Sequence, residues 1–213
     1  MNGYDIAEIM EEIAPQALAC DWDSVGVMAG SLHTEISGIM LCLDLTQEVL
    51  EEAVSEGCNM IITHHPLIFK PIKNLSEDNV RGALLSAVVR EKILVFSAHT
   101  NLDFADGGVN DALIKQIGAG HIMSDAGGHH RYGDLPCAMT VRSFVHMVDE
   151  KLCADGVRVI IPSVMDENDY IKRIGVSCGS FDGETDWIRE CEVDIFVTCL
   201  LYTSPSPRDG LLS

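Results

Sequence analysis

Apolar and polar positions change rhythm repeatedly along this chain, and the changes separate strands from helices. Residues 37–46 contain a short apolar run that closes at Asp44 and Leu45. Thr46 is then placed to cap a helix over 47–56, with Val49, Leu50 and Ala53 on one face and Gly57 as its stop. The run CNMIIT at 58–63 reads as a buried strand and leads directly into HHPLIF. Spacing predicts a second helix over 79–92, with Val80, Leu84 and Val88 in register, and a third strand at Ile93-Leu94-Val95-Phe96. SAHTNLDFADGG reads as a loop, after which a helix covers 109–117.

Strands separated by helices of this length imply crossover connections and a largely parallel sheet. Ligands of open α/β sheets gather at the carboxyl ends of the strands. His64 and His65 follow one such end, while His99 and Asp103 follow another, so polar clusters distant in sequence can meet.

Residues 124–134 are rich in Gly and His and read as a domain junction. Beyond them, LPCAMTVRSFVHMVDEKL reads as a strand leading into a helix, VRVIIPS as a strand, and YIKRIGVSCGSFDG as a strand with a Gly-rich turn. DWIRECEVDIFVTCL completes the pattern as a helix and a strand. The expected fold class is α/β, in two similar lobes with largely parallel or mixed sheets. The expected boundaries are 1–123 and 124–198. The remainder, 199–213, carries Ser-Pro-Ser-Pro with no periodicity, directly after an apolar strand. A disordered tail accounts for such a segment; the abrupt change of composition favours read-through of non-native sequence.

Composition narrows the function classes. The 213 residues carry 14 basic and 33 acidic side chains, a net charge of −19. Such a chain repels phosphate backbones, and its scattered basic residues form no patch, so no nucleic-acid partner is expected. No stretch approaches the roughly 18 apolar residues of a membrane span. The N-terminus is acidic and lacks the basic start of a signal peptide. The eight cysteines form no Cys-x-x-Cys and read as reduced, mostly buried thiols, so a cytoplasmic protein is expected.

The sharpest chemical feature is Thr63-His64-His65-Pro66. Neutral imidazoles suit zinc, iron, nickel and similar ions. In a regular strand the two rings would point to opposite sides, but a strand end allows the backbone to turn. Asp103 offers an anionic donor, and His99 a donor, an outer partner or an acid/base group. Asp21-Trp22-Asp23 is either the wall of a pocket around a buried Trp or a turn with a packed aromatic. His129-His130 lie in a Gly-rich loop, the usual setting of a solvated pair. Cys178-Gly179-Ser180 lacks the Lys-Ser/Thr ending of a phosphate loop, and the chain has no GxSxG elbow. His33, His121 and His146 have no partner at ligand spacing.

Four motifs in order, WDSVGVMAG, LCLDLTQEVLEEA, ITHHPLIF and SAHTNLDFADGGVNDAL, closely resemble the GTP cyclohydrolase 1 type 2 homologues, the Nif-three-like family. The likeness extends more loosely through GDLPCAMTVRSFVHMV, VRVI and IGVSCGS, to about Thr198. It implies a ring-shaped homohexamer of two-lobed α/β subunits. Each complete subunit would hold two divalent ions (zinc, iron, manganese or nickel). By that resemblance His64 binds one ion, His65 the other, and Asp103 joins the first, with Thr63, His99 and Asn101 nearby. A metal-dependent hydrolase acting on a small molecule is implied, with His99 as a proton carrier; the family name suggests ring opening of GTP. A non-catalytic metal-binding or scaffold ring is the alternative.

The family closes its site with a His and a Glu near the C-terminus, after a strand ending in Thr-Gly. Here the strand reads IFVTC, no His follows His146, and Glu192 precedes the strand. Two ions about 3.5–4 Å apart need shared ligands, and three donors split between them hold each weakly. The expectation is that this chain, as it stands, is inactive and retains at most one ion. Elemental analysis after dialysis checks it, and two tightly held ions per chain would refute it.

Overall fold

The computed structural model describes residues 1–154, 156–180 and 185–200. Residues 201–213, most of the stretch expected to be non-native, lie outside them. Contacts divide the chain after Asp106. The sequence suggests a junction near 123–124. The division falls earlier because the helix at 109–117 and the strand after it pack with the second sheet.

The first unit begins with helix α1 (Gly3–Ile13), capped by Asn2 and Asp5 acting reciprocally. Strand β1 (Gly26–Ala29) follows a short 3-10 turn at Gln16–Leu18. Next come β2 (Ile39–Cys42), α2 (Gln47–Ser55), β3 (Met60–Thr63), α3 (Val80–Arg90), β4 (Leu94–Ser97) and α4 (Thr100–Phe104). The sheet order is β1-β4-β3-β2. β2, β3 and β4 run parallel, and β1 is antiparallel to β4.

Alternation along the central strands divides the core into two layers. Met60, Leu94 and Phe96 pack on Ile6 of α1, whereas Ile61 and Val95 pack on Leu50 and Ala53 of α2 and Val88 of α3. Every residue of β4 is buried, as a central parallel strand covered on both faces requires. Gly3 lets α1 approach this closely: a Cβ there would lie 2.7 Å from Leu94 Cδ2.

Thr46 caps α2 as its position suggests, its hydroxyl accepting from Val49 N–H at 3.3 Å. Asn79 likewise caps α3. The expected register of α3 is only partly realised. Leu85 and Val88 are its buried apolar residues, while Val80 is 78% exposed, since it sits in the first turn. The segment expected as a loop after β4 contains α4, too short to show any repeat.

The second unit contains α5 (Val109–Ile117), β5 (Gly120–Ser124), β6 (Arg131–Thr140), α6 (Val141–Leu152), β7 (Tyr170–Ser180), α7 (Asp186–Glu190) and β8 (Ile195–Leu200). Its sheet order is β5-β6-β7-β8, antiparallel except for the β7–β8 pair. Ile114 and Ile117 of α5 and Phe144 and Val148 of α6 pack on Leu135, Ile171, Ile174 and Val176. The Gly- and His-rich stretch is the tight turn between β5 and β6, where Asp125 accepts from Gly127 N–H and His130 N–H.

Two expectations fail here. VRVIIPS forms no strand; Val157, Val159, Ile160 and Ile161 are exposed and the segment joins neither sheet. The eight cysteines are free thiols, but five are half-buried and three exposed. No described helix is long and apolar enough to cross a membrane.

Ile61 is completely buried between β2 and β4. Ile61→Ala is expected to destabilise the first unit by about 2–5 kcal/mol through lost contacts and a residual cavity. Urea unfolding followed by far-ultraviolet circular dichroism measures it, and an unchanged midpoint would contradict the packing described.

Candidate metal centre

The register of the parallel strands builds the site. Cys42 pairs with Thr63, and Thr63 with Ser97, so three strands end side by side. The ladder continues one step further: His64 N–H donates to Cys42 O (3.0 Å), His65 N–H to Leu43 O (2.9 Å) and Ala98 N–H to Thr63 O (2.9 Å). A buried hydroxyl pair, Thr63 with Ser97 at 2.7 Å, ties β3 to β4 at this level. The loops beyond carry Asp44, His64-His65 and His99.

The two adjacent imidazoles do not point apart. Their ring centroids are 4.9 Å from one another, and His99 lies 5.2 Å from His64 and 5.7 Å from His65. Each ring has an oxygen at Nδ1. His64 Nδ1 donates to Ala98 O (3.0 Å), His65 Nδ1 to Asp44 Oδ1 (2.8 Å) and His99 Nδ1 to Asp23 Oδ1 (2.8 Å). A carbonyl and two carboxylates can only accept, so the proton of each neutral ring sits on Nδ1 and the lone pair on Nε2. The rings offer one ligand atom apiece, all within 4.8 Å of one another.

Asp103 lies in the first turn of α4, 96% buried, with Oδ1 3.7 Å from His64 Nε2. Asn101 orients this turn: its Oδ1 accepts from His99 N–H (2.9 Å), and its Nδ2 donates to Ala14 O (2.7 Å). Asp23 comes from the segment before β1. Its Oδ1 also accepts from Ser24 N–H (2.8 Å), and its Oδ2 from Thr100 N–H (3.1 Å) and Thr100 Oγ1–H (2.6 Å). Burial alone would push its carboxyl up. The hydrogen bonds from His99 and Thr100, helped by the His99 charge, outweigh burial and hold it at about 2, against an ordinary 3.8.

Three imidazoles with convergent lone pairs, outer oxygens on the opposite nitrogens and a carboxylate alongside form a donor set that fits a divalent transition metal. The group His64, His65 and His99 can hold such an ion. The structure therefore brings together His64, His65, His99 and Asp103. Asp44 and Asp23 are the participants whose part sequence reasoning missed. Asp44 left a signal, since it closes the strand beside the His pair. Asp23 reads in the sequence as a pocket wall or turn residue, but its pairing with His99 leaves no signal there, because the two are 76 positions apart.

Other sequence candidates resolve differently. Trp22 is not buried but 62% exposed, edge-on to Phe69 at 5.9 Å and to His99 at 6.3 Å. An open pocket of about 530 Å³ adjoins Asp23, walled by Gln16, Cys20, Val25, Met28 and Ile68. His130 stacks on Trp187 at 4.3 Å, and neither His129 nor His130 joins a metal-ligand group among the described residues. Cys178 N–H donates to the buried Asn110 side chain at the end of β7.

The sequence profile of Duf34/NIF3 (NGG1p interacting factor 3) matches residues 1–202. The chain belongs to the Duf34/NIF3 family. A relative from Clostridium perfringens named GTP cyclohydrolase 1 type 2 homolog is 33% identical over 205 residues, 93% of this chain and 77% of that protein. Among solved structures of the family's fold, a Bacillus cereus protein related to NIF3 superposes with a TM-score of 0.86 at 21% identity, covering 95% of this chain and 83% of that one. A Staphylococcus aureus hypothetical protein gives 0.84 at 27% identity, covering 93% and 78%. The α/β expectation and the family resemblance are thus borne out.

The low value at Asp23 has a consequence for acid stability. A carboxyl lowered in the folded state stabilises it fully above the ordinary value of 3.8, and that contribution is lost as pH falls toward about 2. In metal-free protein, Asp23→Asn is expected to remove roughly 2 kcal/mol at neutral pH and to flatten the acid limb of stability. Denaturant titrations between pH 7 and 2 measure both. An acid limb as steep in the variant as in the wild type would contradict the assignment.

Proposed function

We propose that this chain is a metal-binding member of the Duf34/NIF3 family and carries the histidine part of a site that, when complete, performs metal-dependent hydrolysis of a small molecule. The observation that carries the reading is the convergence of His64, His65 and His99 within 4.8 Å, each ring with its Nδ1 on an oxygen. His64 and His65 would hold divalent metal with Asp103, as one ion or as a pair. A divalent ion at such a site supplies an activated water near neutral pH and a Lewis acid for a substrate oxygen.

The protein's own groups do the rest. Ala98 O and Asp44 orient the His64 and His65 rings. His99, its Nδ1–H held on Asp23, would add its Nε2 to an ion held by His64 and His65; where no ion takes that lone pair, it accepts a proton and the Asp23 charge stabilises the imidazolium so formed. Trp22 and Phe69 flank His99 and limit water on that side. The substrate remains open, since a fold hosts many chemistries. The relatives' name points to GTP, whereas the acidic composition favours a ligand with less negative charge.

The family likeness also supports a homohexamer. Ile39, Leu41 and Leu43 agree with it, being exposed on the edge strand β2 and the residue that follows it. Sedimentation analysis checks the assembly.

For the site, zinc affinity is measured by competition with a chromophoric chelator. His64→Ala, His65→Ala and Asp103→Ala are each expected to lose at least about 10–100-fold, the loss that even an outer partner produces. Unchanged affinity in a His64→Ala/His65→Ala double variant would sink the metal site. Zinc-loaded protein is then assayed against GTP and a panel of small esters and amides. Binding without turnover of any compound would sink the hydrolase reading and leave the metal-binding one.

A further inference from the structure

Asp23 holds a position that no strand end requires. His64, His65, His99 and Asp44 all follow parallel strands that stop side by side, whereas Asp23 arrives on the irregular segment before β1. Its side chain is nevertheless fully withdrawn from solvent, and both oxygens are occupied. Oδ1 accepts from His99 Nδ1 and Ser24 N–H, and Oδ2 from the backbone and hydroxyl of Thr100. A carboxylate gripped by donors on both oxygens cannot rotate away, and it can only accept.

Neutral imidazole has two tautomers. With the proton on Nε2, His99 would direct an N–H at His64 and His65 and could neither bind a cation nor take up a proton there. With the proton on Nδ1 it presents a lone pair. The choice is set by whatever Nδ1 faces. We propose that Asp23 is a positioning residue that locks His99 in the Nδ1–H tautomer and so turns the Nε2 lone pair toward His64 and His65. The significance of that lone pair rests on the reading of the histidine cluster given above; the tautomer itself does not.

Thr100 fixes the geometry of this lock. Its hydroxyl donates to Asp23 Oδ2 and accepts from Cys20 N–H at 3.0 Å, so the segment that carries Asp23 is fastened to the start of α4 next to His99. An asparagine at position 23 would have only one acceptor oxygen. It could serve the imidazole or Thr100, but not both, and its NH₂ group would oppose a donor on the other side.

The test uses the full chain, stripped of metal by chelation and labelled with nitrogen-15. Two-bond proton–nitrogen correlation spectra distinguish the tautomers of each histidine ring, and His99 is identified by the signal lost in His99→Ala. At neutral pH the wild type is expected to show His99 as Nδ1–H. Asp23→Asn and Asp23→Ala are expected to shift it to Nε2–H or to a mixture. Thr100→Val retains the His99–Asp23 contact and is expected to leave the tautomer unchanged. Signals of His64 and His65 report whether the variants keep the fold.

Cobalt titration then reads the consequence. Asp23→Asn is expected to weaken cobalt binding about 10–100-fold, as loss of an outer partner does. Because Asp23 acts through His99, the Asp23→Asn/His99→Ala double variant is expected to bind no more weakly than His99→Ala alone. Wild-type His99 in the Nε2–H form would overturn the proposal even if every variant unfolded. So would an Nδ1–H signal that persists in Asp23→Asn, or additive losses in the double variant. Failure of the wild type to bind cobalt would instead sink the metal reading and leave the tautomer result standing.

Discussion

The site depends on one constraint, the in-register parallel pairing of β2, β3 and β4. Because Cys42, Thr63 and Ser97 lie level, the three following loops emerge at one height. Side chains 44, 64, 65 and 99 therefore converge without any long connection bending toward them. A slip of one residue in β3 would exchange the layers facing α1 and α2, and it would also carry the His pair out of reach. The packing that makes the core thus fixes the donors, and the hydroxyl pair of Thr63 and Ser97 pins the register where it matters.

Oxygen atoms outside the cluster complete what the register begins. Each ring is held by a different kind of acceptor: a backbone carbonyl for His64, a half-exposed carboxylate for His65 and a fully buried one for His99. Deeper burial makes an acceptor more rigid but raises the cost of leaving it charged. Asp23 stays ionised because four donors compensate its desolvation. Asp44 needs no such network, since water reaches it.

The sequence was most legible where the structure is periodic. The capped helices, the strand runs at 58–63 and 93–96 and the approach of the loops bearing His64, His65, His99 and Asp103 all follow from spacing and the parallel-sheet rule. Legibility failed where long-range packing decides. VRVIIPS has strand composition yet joins neither sheet. Val80 fits the helical period of α3 yet lies one turn beyond the sheet. Trp22 reads as a core residue and lies on the surface beside His99. Asp23 reads equally as a pocket wall or a turn residue, and only the fold reveals that its partner is an imidazole four strands later.

The order of strands in the first sheet differs from their order of synthesis. β1 is made first, yet its neighbour among the described strands is β4, the last strand of that unit to leave the ribosome. β2 and β3 can pair early, but α1 has no complete surface to cover until Leu94 and Phe96 arrive. His99 follows that last strand by two residues. The growing chain therefore cannot display the three-imidazole group until β4 and the two residues after it have been made.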